Sequence, residues 1–286
     1  MSPDHNNENS YVIPTEHGGE MARLIDQDQT ITRAMGGLFP HTLDLLEVRR
    51  VLDVACGPGG WARRVARELP DVEVVGVDIS QNMIDYANAY VGVENLRHNA
   101  RFLVRDVLQP LDFPYASFDL VNARGMIGFL PKEQWPRVVK ELARITRPGG
   151  FVVLTESDDF GHTNGAAFER YQQLILQSVA RAGLSQHPLG LNWGATAMLR
   201  HHLQNAQCQD IHVVSHVLDY SAGSRENRSI YENFRVSHKL IQPFIIKMGV
   251  ASQEELDALY EQCFNEMLSE DFCAVWSFVT TWGVKR

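Results

Sequence analysis

The segment Val51-Leu-Asp-Val-Ala-Cys-Gly-Pro-Gly-Gly60 constrains this chain more than any other, because a short apolar run there breaks into a glycine-rich turn. A second apolar run, Val74-Val-Gly-Val-Asp-Ile79, follows and places an acid, Asp78, near its end. A strand, a tight turn, a helix and a second parallel strand with a carboxylate at its tip satisfy both runs. Open parallel sheets bind ligands outside the carboxyl ends of their strands. Gly57 and Gly59 let the backbone turn sharply and approach a ligand with no Cβ in between. The helix expected to begin near Trp61 aims unpaired N–H groups at the same place, which favours an anionic or carboxylate-bearing ligand.

The rest of the chain extends this pattern. Strands are expected over 50–55, 72–77, 101–105, 118–123, 150–155 and 211–218, with helices over 60–69, 81–91, 133–146 and 165–183. Such alternation predicts a doubly wound α/β fold whose mostly parallel sheet is covered by helices on both faces. Residues 224–249 then place Ile230, Phe234, Ile241, Phe244, Ile245 and Met248 at helical spacing. Ser252-Gln-Glu-Glu255 reads as a capping box opening a further helix, and Phe272 to Trp282 supplies a last β-rich run. Before the core, Met21, Leu24, Ile25, Ile31, Met35 and Leu38 read as one or two short helices interrupted by Gly36-Gly37. The expected organisation is a disordered tail over 1–12, N-terminal helical lid elements over 13–47, a core over 48–221, a helical insertion over 222–270 and the final core strand over 271–286.

Asp78 lies 21 positions after Gly57, close to the roughly 20 expected of an acid that holds a ribose diol. A nicotinamide dinucleotide and S-adenosylmethionine (SAM) both fit that spacing, and Gly57, Gly59 and Ala62 also satisfy the dinucleotide pattern. Two further acids favour SAM. Asp53 sits inside the first strand, and Asp106 ends the run Ala100-Arg-Phe-Leu-Val-Arg-Asp106. An adenine with no second nucleoside attached can use a carboxylate there for its exocyclic amine.

With these residues in order, the chain resembles the class I SAM-dependent methyltransferases. Asp53-Val-Ala-Cys-Gly-Pro-Gly59 is similar to their first motif, Asp78 to their ribose acid and Asp106 to their adenine-contacting acid. Phe118-Asp-Leu-Val-Asn-Ala-Arg124 and Glu141-Leu-Ala-Arg-Ile-Thr-Arg-Pro-Gly-Gly-Phe151 continue the likeness, which is good over residues 45 to 160 and loose elsewhere. The resemblance implies a Rossmann-like, seven-stranded sheet with an antiparallel last strand. It also implies SAM as methyl donor, S-adenosylhomocysteine (SAH) as product, and a cofactor site made of Asp53, Ala55, Gly57, Gly59, Asp78, Ile79, Met83, Asp106, Val107, Asn122 and Arg124. For Arg124, a surface ion pair is the competing reading. A hairpin normally leads to the last strand in this family, so the helices over 222–270 are an addition. They are expected to form a lid with the N-terminal helices, the alternative being a helical pair packed elsewhere on the sheet.

Composition narrows the partners. A net charge of −9 argues against nucleic acid, whose phosphates need a basic face. No run is apolar enough to span a membrane, and Met1 to Ser10 lacks the blocks of a signal peptide. Cysteines at 56, 208, 263 and 273 show no metal-like pairing, and the adjacent His201-His202 diverge on a helix, so no metal is expected. A reducing, cytoplasmic setting follows. A homodimer stays open, because the apolar helices of the insertion offer a face for one.

Methyl transfer from a sulfonium is an in-line displacement, served by holding the nucleophile in line and excluding water. A base helps where the acceptor loses a proton. Glu156 and His162, just beyond the strand at 150–155, are the candidates; the competing reading makes the acids of this stretch a solvated loop or helix cap. The Asn/Asp-Pro-Pro-aromatic motif of amino-methyltransferases is absent from Asn122-Ala-Arg-Gly125. The resemblance therefore implies a small organic acceptor methylated on oxygen, nitrogen or carbon. A non-methylating SAM/SAH-binding protein on the same fold and an NAD-dependent oxidoreductase are the rival functions.

Overall fold

The computed structural model describes residues 12–13 and 18–286. In chain order the elements are α1 (Gly18–Ala34), β1 (Arg50–Val54), α2 (Gly60–Glu68), β2 (Glu73–Asp78), α3 (Gln81–Val93), β3 (Ala100–Val104), β4 (Phe118–Arg124), a 3-10 turn (Met126–Gly128), α4 (Trp135–Ile145), β5 (Thr146–Glu156), β6 (His162–Thr163), α5 (Ala166–Arg181), α6 (Ala195–Asn205), β7 (Cys208–Asp219), α7 (Asn227–Lys247), α8 (Gln253–Met267) and β8 (Ala274–Lys285). The sheet runs β3-β2-β1-β4-β5-β8, with β6 and β7 also pairing with β8. Strands β1 to β5 are parallel, whereas β8 is antiparallel to β5, β6 and β7.

The expected sheet had seven strands; the structure has eight, because the two-residue β6 pairs with Val275 and Ala274 where β8 extends beyond its pairing with β5. The N-terminal periodicity resolves into one helix. It stops at Ala34, and the chain then turns through Gly36 at φ 78°. The disordered tail expected over 1–12 lies outside the described residues except for Val12, whose N–H donates to the carbonyl of Gly128 at 3.1 Å.

Alternating side chains along β1 feed two cores. Leu52 and Val54 pack with Trp135, Val138 and Leu142 of α4, while Val51 packs with Trp61 and Val65 of α2. A third apolar cluster joins Phe168, Tyr171 and Ile175 of α5 to Ile230, Phe234 and Ile241 of α7, Phe264 and Met267 of α8, and Trp276 and Phe278 of β8. Fully burying an aliphatic or aromatic side chain of this size contributes about 1.5–3 kcal/mol, so the helices of the insertion are anchored as firmly as the core. Ser252 caps α8 by accepting from the Glu255 N–H at 3.1 Å.

The two inserted helices pack on each other and on α5, and their main neighbours differ. α7 lies against α1, and α8 lies against α5. Of the apolar stripe, Ile230, Phe234, Ile241 and Ile245 are buried within the chain, and Phe244 and Met248 are partly exposed. Among the described residues, no helix is long and apolar enough to cross a membrane.

Candidate active site

Two adjoining cavities open at the carboxyl ends of β1, β2, β4 and β5. The first, about 160 Å³, is lined by Ala55, Gly57, Asp78, Ile79, Met83, Asp106, Val107 and Leu108, with Phe129 across from them. The second, about 210 Å³, is lined by Asp53, Thr155 and Glu156 at the strand tips and by an apolar wall of Ile127, Phe160, Trp193, Ile241, Trp276 and Phe278. Leu24, Gln27, Ala55, Gly57, Arg124 and Gly125 line both. The cavities are two lobes of one cleft.

The turn between β1 and α2 shapes the boundary. Ala55 holds φ 55° and Gly57 φ 53°; the left-handed region costs an alanine about 1–2 kcal/mol, a strain of the kind that collects at functional sites. Asp78 reaches back across this turn. Its Oδ2 accepts from the Gly57 N–H at 2.9 Å and its Oδ1 from the Ser80 N–H at 2.9 Å. Burial pushes the Asp78 carboxyl above its ordinary range, while those backbone amides oppose the shift. A carboxylate offers about four lone-pair sites, so Asp78 retains acceptor capacity for a diol. Asp106 Oδ1 accepts from the Leu108 N–H at 2.8 Å, which fixes its carboxylate in the lining of the first lobe. Two carboxylates that line one lobe together with Ile79, Met83 and Val107 suit an adenosine: acceptors for the hydroxyls and the amine, and apolar surface for the ring.

The second lobe has different chemistry. Glu156 is 1% exposed, and its carboxyl accepts from the N–H groups of Met126 at 2.8 Å and Ile127 at 3.3 Å. Burial pushes it up to about 8, against the pull of those two amides. Asp53 is likewise pushed up to about 7 by burial, opposed by the charge of Arg124 and by a hydrogen bond from Asn122. Arg124 forms an ion pair with Asp28 of α1 and donates to Thr32 at 3.1 Å. Its guanidinium also lies 5.7 Å from the centre of the Trp61 ring.

Ala55, Gly57, Asp78, Ile79, Met83, Asp106 and Val107 meet in the first lobe, and Asp53, Ala55, Gly57, Arg124 and Glu156 meet in the second. Three expected site residues do not line the cleft. His162 lies on β6 with its side chain 75% exposed and 3.5 Å from Asp159. The strand tip carries Glu156 inward, but the six residues that follow lead the chain out to the edge of β8. Asn122 lies beneath the floor, where its amide donates to Asp53 Oδ1 at 2.8 Å; it positions Asp53 instead of lining the cavity. Gly59, at φ 75°, begins α2, and a Cβ there would stand 2.6 Å from the ring of Phe102. Packing requires that glycine. The loop-or-cap reading holds for Asp158, which accepts from Thr196 at the start of α6.

Sequence reasoning expected a lid from the N-terminal helices and the insertion but named none of the α1 and α7 residues that line the cleft, and it missed the contribution of β8. Leu24, Gln27, Asp28 and Ile31 recur at three- and four-residue spacing, which places them on one helix face, and that face looks into the cleft. Ser237 and Ile241 of α7 repeat the device from the other side, whereas no residue of α8 lines either lobe. Among the described residues, no group of three or more His, Cys, Asp or Glu could hold a metal ion. His202 stacks on Trp135 at 5.6 Å and pairs with Gln186.

Comparison with known proteins agrees with this geometry. Residues 51–150 match the family described as "Methyltransferase domain". The methyltransferase str2 of Strobilurus tenacellus is 26% identical over 232 residues, 81% of this chain and 72% of that protein. The demethylmenaquinone methyltransferase of Deinococcus radiodurans is 36% identical over 132 residues, 46% of this chain and 53% of that protein. Other curated relatives are likewise matched over about half their length. Among solved structures, phosphoethanolamine N-methyltransferase 2 of Haemonchus contortus, in complex with phosphomonomethylethanolamine and S-adenosylhomocysteine, shares the fold with a TM-score of 0.53 and 20% identity, over 94% of this chain and 57% of that one.

Proposed function

We propose that this chain, whose residues 51–150 match the methyltransferase domain family, is a class I SAM-dependent methyltransferase that transfers a methyl group to a small, partly apolar organic acceptor held in the second lobe. One observation carries this reading. A lobe with paired carboxylates suited to an adenosine opens directly into an apolar lobe, and the two share the wall formed by Gly57 and Arg124. When bound, SAM supplies an activated methyl group that needs no covalent enzyme intermediate.

The chain's own residues then have three tasks. Asp78 and Asp106 anchor the nucleoside end. Phe160, Trp193, Ile241, Trp276 and Phe278 exclude water and press the acceptor toward the boundary between the lobes, so that orientation lowers the barrier. Glu156, with a carboxyl pushed up to about 8 and held by two backbone amides, takes the proton that a hydroxyl, acid or ammonium acceptor must lose. α1 and α7 are the lid elements over this lobe, and α8 braces α5. The net charge of −9 and the apolar wall point to a small molecule and away from nucleic acid. The four cysteines, with no metal-like spacing, support a reducing compartment such as the cytoplasm as its setting.

Calorimetric titration with SAM, SAH and NADH in parallel, followed by an acceptor screen read by SAH release, tests the reading. Saturable binding of SAM and SAH without NADH, and turnover on a phenol, carboxylic acid, amine or enol, is the expected result. NADH binding alone would assign the cleft to a hydride-transfer enzyme. SAM binding with no turnover on any acceptor class would favour a non-methylating catalyst or binding protein.

A further inference from the structure

Between α1 and α7 runs a buried polar network that ends in a single amide at the cleft. Glu20 and Arg23, with side chains 0% and 4% exposed, form a two-bond ion pair, Arg23 Nε and Nη2 donating at 2.7 and 2.6 Å. Arg23 Nη1 donates to Gln27 Oε1 and, at 3.3 Å, to Asn233 Oδ1 of α7. Asn233 Nδ2 closes the ring on Gln27 Oε1 at 3.3 Å. A guanidinium only donates, so the Gln27 atom that faces it is the carbonyl oxygen, and the same holds for Asn233. Both Nε2 hydrogens of Gln27 are left over, and they meet no partner among the described residues. Gln27 lines both lobes, so its donors belong to the boundary between them.

Resting on the SAM reading above, we propose that Gln27 donates a hydrogen bond to the reacting oxygen of the acceptor and so selects a hydroxyl over an amine. A hydroxyl oxygen carries two lone pairs and one hydrogen, and each has a use here. The hydrogen passes as a proton to Glu156, which lines the same lobe. One lone pair forms the new bond to the methyl carbon, whose bond to sulfur breaks and leaves its electron pair on sulfur. The second lone pair accepts from Gln27 Nε2, which steadies the oxygen as its proton leaves. A neutral amine has a single lone pair, which the reaction consumes, so it has nothing to offer this donor. The network behind Gln27 suits the task. A buried ion pair adds little net stability once its desolvation is counted, but its fixed hydrogen bonds hold the amide in one orientation. Hydrogen bonds in series also polarise one another, which strengthens Nε2 as a donor.

The test compares 4-propylanisole, a methyl ether of the kind such a reaction yields, with 1-ethyl-4-propylbenzene, in which a methylene replaces the ether oxygen. An ether oxygen only accepts, so a preference for it reports a donor. Calorimetry on the full-length protein saturated with SAH should show the ether binding about 10-fold more tightly. Gln27→Glu keeps an oxygen for Arg23 and Asn233 but removes the donors, and it should abolish that preference while SAH affinity stays within about twofold. With SAM, 4-propylphenol should be methylated at least about 10-fold faster than 4-propylaniline. Equal affinity for ether and hydrocarbon in the wild-type protein, or binding of neither, would overturn the proposal. A preference that survives in Gln27→Glu, or equal weakening of both compounds, would overturn it too, the latter by assigning Gln27 a structural role. Weaker SAH binding in the variant would move Gln27 to the cofactor, and aniline methylated as fast as phenol would remove the selection. Failure of the wild-type protein to bind SAH would refute the SAM reading itself, not the role of Gln27 alone.

Discussion

The two lobes of the cleft are built on different principles. Asp78 and Asp106 of the first lobe stand at or just beyond the tips of successive parallel strands, and are held by backbone N–H groups of Gly57, Ser80 and Leu108. Most of its lining comes from strand tips and the turns that follow them. The second lobe is assembled from segments far apart in the chain: α1, the tip of β5, α7 and β8. Polar groups dominate the function of the first lobe; in the second, the buried carboxyls of Asp53 and Glu156 face an aromatic and aliphatic wall. Strand-tip turns thus suit a constant ligand, and helices laid over the sheet suit a variable one, because helix faces can be rewritten without disturbing the backbone hydrogen bonds of the sheet.

The sharpest way to separate the lobes is Glu156→Gln. It should lower kcat by about 10²- to 10⁴-fold, the usual contribution of a general base, while SAH affinity measured by calorimetry stays near wild type. Undiminished turnover would remove Glu156 as the base. The opposite change, Asp78→Ala, should weaken SAH by about 1–3 kcal/mol through lost hydrogen bonds; an unaltered Kd would break the ribose assignment.

A pH profile sharpens the comparison further. The Glu156 carboxyl stays protonated in the folded protein until about pH 8, against an ordinary value of 4.5. Turnover limited by the ionised base should rise with pH and level off above about 8, and that limb should vanish in Glu156→Gln. Stability runs the other way. The unfolded chain releases this proton near 4.5 and the folded chain near 8, so the contribution is fully present below 4.5 and is lost as pH rises through 8. Asp53, shifted from 3.8 to about 7, adds to the same trend. The buried histidines His202, His216 and His238, whose values burial lowers, oppose this trend below about pH 6.5, so a difference isolates it. The melting temperature of the ligand-free protein relative to that of Glu156→Gln should fall from pH 5 to pH 8.5, a comparison that scanning calorimetry can make. The smallest effect belongs to His162→Asn. An exposed side chain outside both lobes should change turnover and stability little, within about 0.5 kcal/mol, and a large loss of kcat would return His162 to the site.

How far each lobe was legible follows from its construction. Asp53, Gly57, Asp78 and Asp106 were readable because a glycine turn and acids at strand tips are local signals: a few consecutive residues set both the backbone path and the side chain's exit. The inward placement of Glu156 at the tip of β5 was readable for the same reason. His162 was misplaced because closeness in sequence to a strand tip says nothing about which way the following loop leaves it. Asn122 shares a strand with Arg124, two residues away, yet it ends beneath the floor with Asp53. Gly59 carries the look of a ligand contact but answers to the ring of Phe102 on another strand.

The sequence by itself determined the order of strands and helices, the glycine turn with its acids and the presence of two extra helices, since these follow from periodicity, backbone freedom and capping within a few residues. Tertiary structure alone decided that α7 lines the cleft while α8 braces α5, that Asp28 meets Arg124 across 96 positions of chain, and that Glu156 is buried without a cationic partner among its hydrogen bonds. The physical reason is that burial, ion pairing and the shifts they impose on a carboxyl depend on what another element lays against it. Residues distant in sequence supply that neighbour, and no local pattern encodes their approach.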